Sequence, residues 1–140
     1  MSMPKRIAFI TTETNGLHKH NMFNVSIKNL YIWARLIKLQ YIIGHRDPQT
    51  KKFIVEKKVK YLIKPHHFLV PENVSKINGL TQDKLEKKGE DIKKVLIQLK
   101  KDLSNVSIIV SHSLKFHLRV LQAEMLRWVI ILDFNNYRLI

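Results

Sequence analysis

The stretch Ile7–Leu17, IAFITTETNGL, constrains the fold of this chain more than any other. Arg6–Ile10 is an apolar run with little alternation, as expected of a central strand covered on both faces. It leads through Thr11-Thr12-Glu13-Thr14 into Asn15-Gly16, a pair with turn chemistry. The segment therefore reads as a short strand ending in a turn, with a carboxylate at its mouth.

The rest of the chain supplies partners for that strand. Ile32–Ile43 (IWARLIKLQYII) is rich in β-branched and aromatic residues and predicts a second strand, and Gly44–Thr50 predicts a turn broken at Asp47-Pro48. Lys52–Ile63 alternates: Phe53, Val55, Lys57, Val59, Tyr61 and Ile63 face one way, and Ile54, Glu56, Lys58, Lys60 and Leu62 the other. The two strands should form an antiparallel hairpin. Pro71–Gly79 reads as a short helical turn. Thr81 can cap a helix over Gln82–Lys88, with Asp83 favoured in its first turn and Gly89 ending it. Asp91–Leu103 is amphipathic, with Ile92, Val95, Leu96, Leu99 and Leu103 on one stripe. Val106–Val110 reads as a buried strand, Ser113–Arg127 as a helix with Leu114, Leu118, Leu121 and Met125 on its apolar side, and Val129–Leu132 as a last strand. A hairpin followed by helical crossovers predicts an α/β mixed sheet: antiparallel first three strands, then parallel strands with helices packed on them.

Composition bounds what such a sheet could do. A chain of 140 residues, 45% hydrophobic, suits one domain over residues 1–140. It has 0 cysteines, which excludes disulfides and thiolate metal sites. No run is apolar enough to span a bilayer and no signal-peptide pattern is present, so a cytoplasmic location without membrane contact is expected. The formal net charge of +14 favours polyanionic partners and salt-sensitive association.

Several ordered motifs give this layout a family resemblance. Thr11-Thr12-Glu13-Thr14-Asn15-Gly16-Leu17 resembles the Asp-Thr-Glu-Thr-x-Gly-Leu motif of DEDD-type 3′–5′ exonucleases, the proofreading type of the RNase H-like superfamily. Trp33-Ala34-Arg35-Leu36-Ile37 resembles the family's Trp/Phe-Pro-Arg-Leu-Val. Ile63-Lys64-Pro65, Val70-Pro71 and Ile77-Asn78-Gly79-Leu80-Thr81 are similar to Ile-x-Pro, Ile-Pro and Ile-His-Gly-Ile-Thr. Val110-Ser111-His112-Ser113-Leu114-Lys115-Phe116-His117 is similar to Val-Ala-His-Asn-x-x-Phe-Asp, and Leu121, Glu124, Leu126 and Arg127 fit the helix that follows. The resemblance implies an RNase H-like, exonuclease-type fold over nearly the whole chain.

The same resemblance carries an expectation about chemistry. The family hydrolyses phosphodiesters with two divalent cations held by four acidic residues, with a late histidine as base; such hard ions need several oxygen ligands. Here Thr11 occupies the first acidic position, Glu13 keeps the second and His117 occupies the third. The family's final His-x-x-x-x-Asp segment has no counterpart before Ile140, so a C-terminally shortened domain without the family's last helices is expected. The vestigial site Thr11, Glu13 and His117 is expected to lack catalytic power and to need no cofactor, with Glu13 the one candidate metal ligand. Magnesium or manganese enters only if the domain is active, alone or complemented by a partner.

Binding can outlast cleavage, because contacts to a 3′-terminal nucleotide need no metal. Thr14, Gly16 and Leu17 match positions where the family receives that nucleotide; equally, Gly16 can serve the turn and Leu17 the core. His112 belongs to the same motif and can also bond locally at the helix start. Lys57, Lys58 and Lys60, with Lys51 and Lys52, make either a phosphate-contacting ribbon or an edge protected against aggregation. His66 and His67, adjacent in sequence, should point apart. Trp128–Phe134 should present apolar surface on a sheet face left open by the early end, for a protein partner or a second copy. The sequence thus points to a catalytically degenerate exonuclease-like domain that binds nucleic acid or serves in an assembly. Two alternatives stay open: a partner-complemented active exonuclease, and a protein scaffold with no nucleic-acid role.

Overall fold

In a computed structural model, which describes residues 4–16 and 24–140, the chain forms β1 (Arg6–Thr14), a 3-10 turn (Ile27–Ile32), β2 (Leu36–Arg46), β3 (Phe53–Leu62), α1 (Glu72–Asn78), α2 (Gln82–Lys88), α3 (Ile92–Leu103), β4 (Ile108–Val110), α4 (Leu114–Arg127), a second 3-10 turn (Phe134–Asn136) and β5 (Arg138–Leu139). The sheet order is β3-β2-β1-β4-β5. β1–β2 and β2–β3 are antiparallel, whereas β1–β4 and β4–β5 are parallel. This is the expected α/β mixed sheet.

Helices α3 and α4 cover one face of the sheet. The α3 stripe Ile92, Val95, Leu96, Leu99 and Leu103 is buried against Ala8 and Ile10 of β1, Leu39, Tyr41 and Ile43 of β2, and Ile109 of β4. Leu118, Val120, Leu121 and Met125 of α4 complete that core. Ile37, Val70, Leu80 and Leu85 form a smaller cluster with the α1–α2 segment. Thr81 caps α2 by accepting from the Lys84 amide.

The opposite face is open along β1, although Leu62 of β3 on that side packs into the α1–α2 cluster, and this corrects the expectation that β1 is covered on both sides. Ala8, Ile10, Thr12 and Thr14 are buried, while Phe9, Thr11 and Glu13, pointing the other way, are exposed. Alternation along β3 also departs from the regular pattern. Lys57 pairs with Ile43, but Val55 pairs with Gly44, so Glu56 is an extra residue in the ladder. Glu56 and Lys57 both lean to the helix side, where Glu56 meets Arg6 and His45 and Lys57 meets Asp102. Beyond this bulge Phe53 and Val55 are switched to the open face. Gly44 permits the switch: a Cβ there would lie 2.0 Å from the Ile54 carbonyl oxygen and 2.8 Å from the Phe53 ring.

Several element boundaries differ from the sequence pattern: β1 extends to Thr14, and β4 begins at Ile108. β2 begins at Leu36 rather than Ile32 because the preceding residues close a 3-10 turn, with the Asn29 side chain accepting from the Ser26 amide and the Trp33 indole. β2 then runs through Gly44 to Arg46, and the turn is tied by Asp47, which accepts from Gln49 N and Thr50 Oγ1. Val129–Leu132 is not a strand. Val129 takes a left-handed φ of 56°, Asp133 caps a 3-10 turn, and the edge pairing falls to β5. Of the apolar tail, Val129 and Ile131 are exposed, but Phe134 is buried and Ile130 and Leu132 pack on the core.

Candidate functional site

The site forms where β4 stops short of β1. Pairing of β1 with β4 ends at Phe9–Val110, so the edge of β1 from Ile10 onward faces the connection into α4. Ser111 Oγ donates to the Ile10 carbonyl, and Ser113, at a left-handed φ of 57°, starts α4. His117 therefore reaches back to β1 from the first turn of the helix. Its Nδ1 lies 3.1 Å from the Thr12 amide nitrogen and 2.7 Å from Thr12 Oγ1. The amide N–H must donate to a nitrogen lone pair, which assigns His117 as neutral with its proton on Nε2. Burial holds its pKa below the usual histidine range, against the opposing pull of a hydrogen bond to the His112 backbone and the charge of Glu13.

The strand end is built with equal care. Thr14 Oγ1 donates to the Gly16 carbonyl. Asn15 pairs with Arg35 twice, its amide donating to the Arg35 carbonyl at 3.0 Å and its Oδ1 accepting from the Arg35 amide at 2.8 Å. The Arg35 guanidinium sits 4.6 Å over the Phe68 ring and bonds Glu124 of α4 at 3.2 Å. Glu124 is 0% exposed and also accepts from Arg127 Nη1 at 2.7 Å and Leu36 N at 2.9 Å. This buried carboxylate locks α4 to the start of β2 and, through Arg35, to the turn at Asn15. The motifs contain Arg35 and Glu124 but carry no sign of this role. The signal was present in α4, where Glu124 stands between Ala123 and Met125 on the apolar side of the helix.

Thr11 and Glu13 project from the open face. Thr11 and His112 line a cavity of about 260 Å³ with Phe9, Gln40, Val110 and Ser111. The structure thus places Thr11, Glu13, His112 and His117 around one strand end, but His117 is turned to Thr12, the residue between the two acidic motif positions. Leu17, with His18 and His20, lies outside the described residues. The lysines divide: Lys58 and Lys60 are exposed on the open face, whereas Lys57 is 2.8 Å from Asp102 on the helix side. Burial works to raise Asp102, but hydrogen bonds from Lys57, Tyr41 and Gln98 outweigh it and hold the carboxyl below its usual range. The rings of His66 and His67 do not point apart: left-handed His67 (φ 62°) brings them to 4.4 Å.

A pair of hard cations does not fit these residues. Thr11 offers a hydroxyl, Glu13 one carboxylate, and His117 a lone pair already used by the Thr12 amide. Among the described residues no three His, Asp or Glu side chains are grouped to hold a metal ion. Among them, too, no helix is long and apolar enough to cross a membrane.

No protein-family model matches the chain, and no curated protein matches it. Solved structures do. Escherichia coli exonuclease I in complex with a dT13 oligonucleotide superposes with a TM-score of 0.72 at 15% identity, over 96% of this chain and 27% of that one. A product-bound exonuclease I gives 0.73 at 15% identity, over 99% and 30%. An exonuclease I complex with the SSB C-terminus gives 0.73 at 14% identity, over 99% and 28%. The chain has the RNase H-like fold of the exonucleases. It spans less than a third of the length of these exonuclease I chains, and at this identity the likeness is one of fold.

Proposed function

We propose that this chain is a nuclease-fold domain that binds the end of a single nucleic-acid strand without hydrolysing it. One observation carries the reading: where a nuclease of this fold would place a carboxylate, His117 is neutral, half-buried and bonded to the backbone of Thr12. With Thr11 in place of another, the strand end keeps one carboxylate, Glu13, too few for two-metal hydrolysis. The residues we assign to receive a nucleotide are Thr14 and Gly16 of the braced turn, His112 among the cavity lining, and Leu17 on the resemblance of the motif alone. Lys58 and Lys60 and the +14 net charge supply phosphate attraction. The structures similar in fold include exonuclease I in complex with a dT13 and with a dA16 oligonucleotide.

The test is a digestion assay with 5′-labelled single-stranded DNA and RNA in magnesium and in manganese, run beside a gel shift at low salt. The expected result is a shifted band and full-length substrate. Trimming from the 3′ end that disappears in Glu13→Ala overturns the non-hydrolytic reading, and absence of any shift overturns the binding.

A further inference from the structure

We propose that the open face of the sheet is a platform along which a bound single strand continues beyond the strand-end site. This rests on the strand-binding reading above and assigns the path of the strand. Cross-strand rows on this face follow from the register. Thr11 neighbours Gln40 and then Lys60; Phe9 neighbours Ile42 and then Lys58; Glu13 neighbours Lys38. Glu13 and Phe9, on one strand, are about 13 Å apart, and the lysines of β3 run alongside, about 10 Å from β1. An aromatic track and a cationic track thus lie side by side on the same face as the strand-end residues.

The aromatic track is held in place. The Phe9 and Phe53 rings stand perpendicular at 5.3 Å, and Phe53 lies over Gly44. Phe9 is 41% exposed, Phe53 38% and Val55 54%, so these rings and their apolar neighbours face solvent. Bases stack on such side chains without sequence preference. The charges select the occupant. Lys38, Lys58, Lys60, Arg46 and Arg138 lie on this face, and Glu13 is the one acid among the strand residues that point to it; among the described residues Lys38, Lys58 and Lys60 form no ion pair, unlike Lys57. A second copy packed face to face would set those cations against each other. A polyanion with exposed aromatic rings satisfies both tracks at once.

The experiment is fluorescence anisotropy with a labelled thymidine trinucleotide and with dT13, the oligonucleotide length seen on exonuclease I. Variants are Phe53→Leu, which keeps an apolar side chain, and the exposed pair Lys58→Gln/Lys60→Gln; melting curves confirm that each is folded. The wild type should bind dT13 at least about tenfold more tightly than the trinucleotide, and Phe53→Leu should lose about tenfold for dT13 alone. The lysine pair should flatten the salt dependence by about 1.4 in the log–log slope, about 0.7 for each lost phosphate contact to a single strand. If Phe53→Leu lowers the melting temperature, the lysine pair decides. Wild-type dT13 affinity in both variants overturns the platform and leaves strand-end binding standing; failure of the wild type to bind either probe overturns both. A self-associated species in sedimentation that Phe53→Leu dissolves, with dT13 binding unchanged, assigns the face to a second copy and also overturns the platform.

Discussion

Glu124→Gln should cost this domain about 3 kcal/mol of stability, the low end of the range for breaking a buried ion pair. The carboxylate is fully buried and accepts from Leu36 N at 2.9 Å, Arg35 Nε at 3.2 Å and Arg127 Nη1 at 2.7 Å. Hydrogen bonds to a charged group contribute about 1.5–3 kcal/mol each, so a simple sum would exceed the expected loss. Two features reduce it. The glutamine oxygen can still accept from the Leu36 amide, and the side chains of Arg35 and Arg127, 20% and 15% exposed, can turn part-way to water. What remains is two cations without a counter-charge, a large loss for a domain with about 5–15 kcal/mol in total. Urea unfolding followed by tryptophan fluorescence measures it, with the midpoint falling and the slope m unchanged. Because Arg35 also holds Asn15, the variant should weaken strand-end binding. A loss below about 1 kcal/mol would refute the argument, since it would mean that the carboxylate is neither desolvated nor paired as described.

Three further outcomes follow from other contacts. His117 has a depressed pKa, so below about 6.5 the unfolded chain takes up the proton first; stability is full above that pH and declines as pH falls through the window beneath it. His117→Asn should remove that part of the decline, read as urea midpoints on either side of the histidine range. Gly44→Ala forces a Cβ against the Ile54 carbonyl and the Phe53 ring and should cost about 2 kcal/mol in the same unfolding experiment. Lys57→Gln removes the pair with Asp102 and should cost no more than about 1 kcal/mol while leaving the salt slope of nucleic-acid binding unchanged, because Lys57 faces α3.

Much of the fold was legible because simple periods and caps govern it. The α3 stripe at helical spacing is buried throughout, and Thr81 caps α2 as its position suggested. The hairpin was legible until the bulge at Glu56, where one inserted residue reverses the facing of Phe53 and Val55; alternation cannot foresee an insertion that depends on a glycine in the opposite strand. The apolar run Val129–Leu132 looked like a strand, yet left-handed Val129 and the Asp133 cap turn it aside, and β5 is a two-residue edge without a sequence pattern of its own. At the site, Thr11, Glu13 and His117 could be aligned by motif. That His117 bonds Thr12 depends on where β4 stops, a tertiary fact invisible in the residue types. Gly44, Glu56 and Phe53 together also put the open apolar face on the sheet, where the sequence had pointed to the tail.

On the proposed reading, this strand end lacks the means to hold two metal ions. Titrating manganese against the protein and following the free-ion signal by electron paramagnetic resonance tests it most directly. The signal of hydrated manganese should be undiminished by one protein equivalent, with and without bound dT13. Uptake of two ions per chain, abolished in Glu13→Ala, would contradict it.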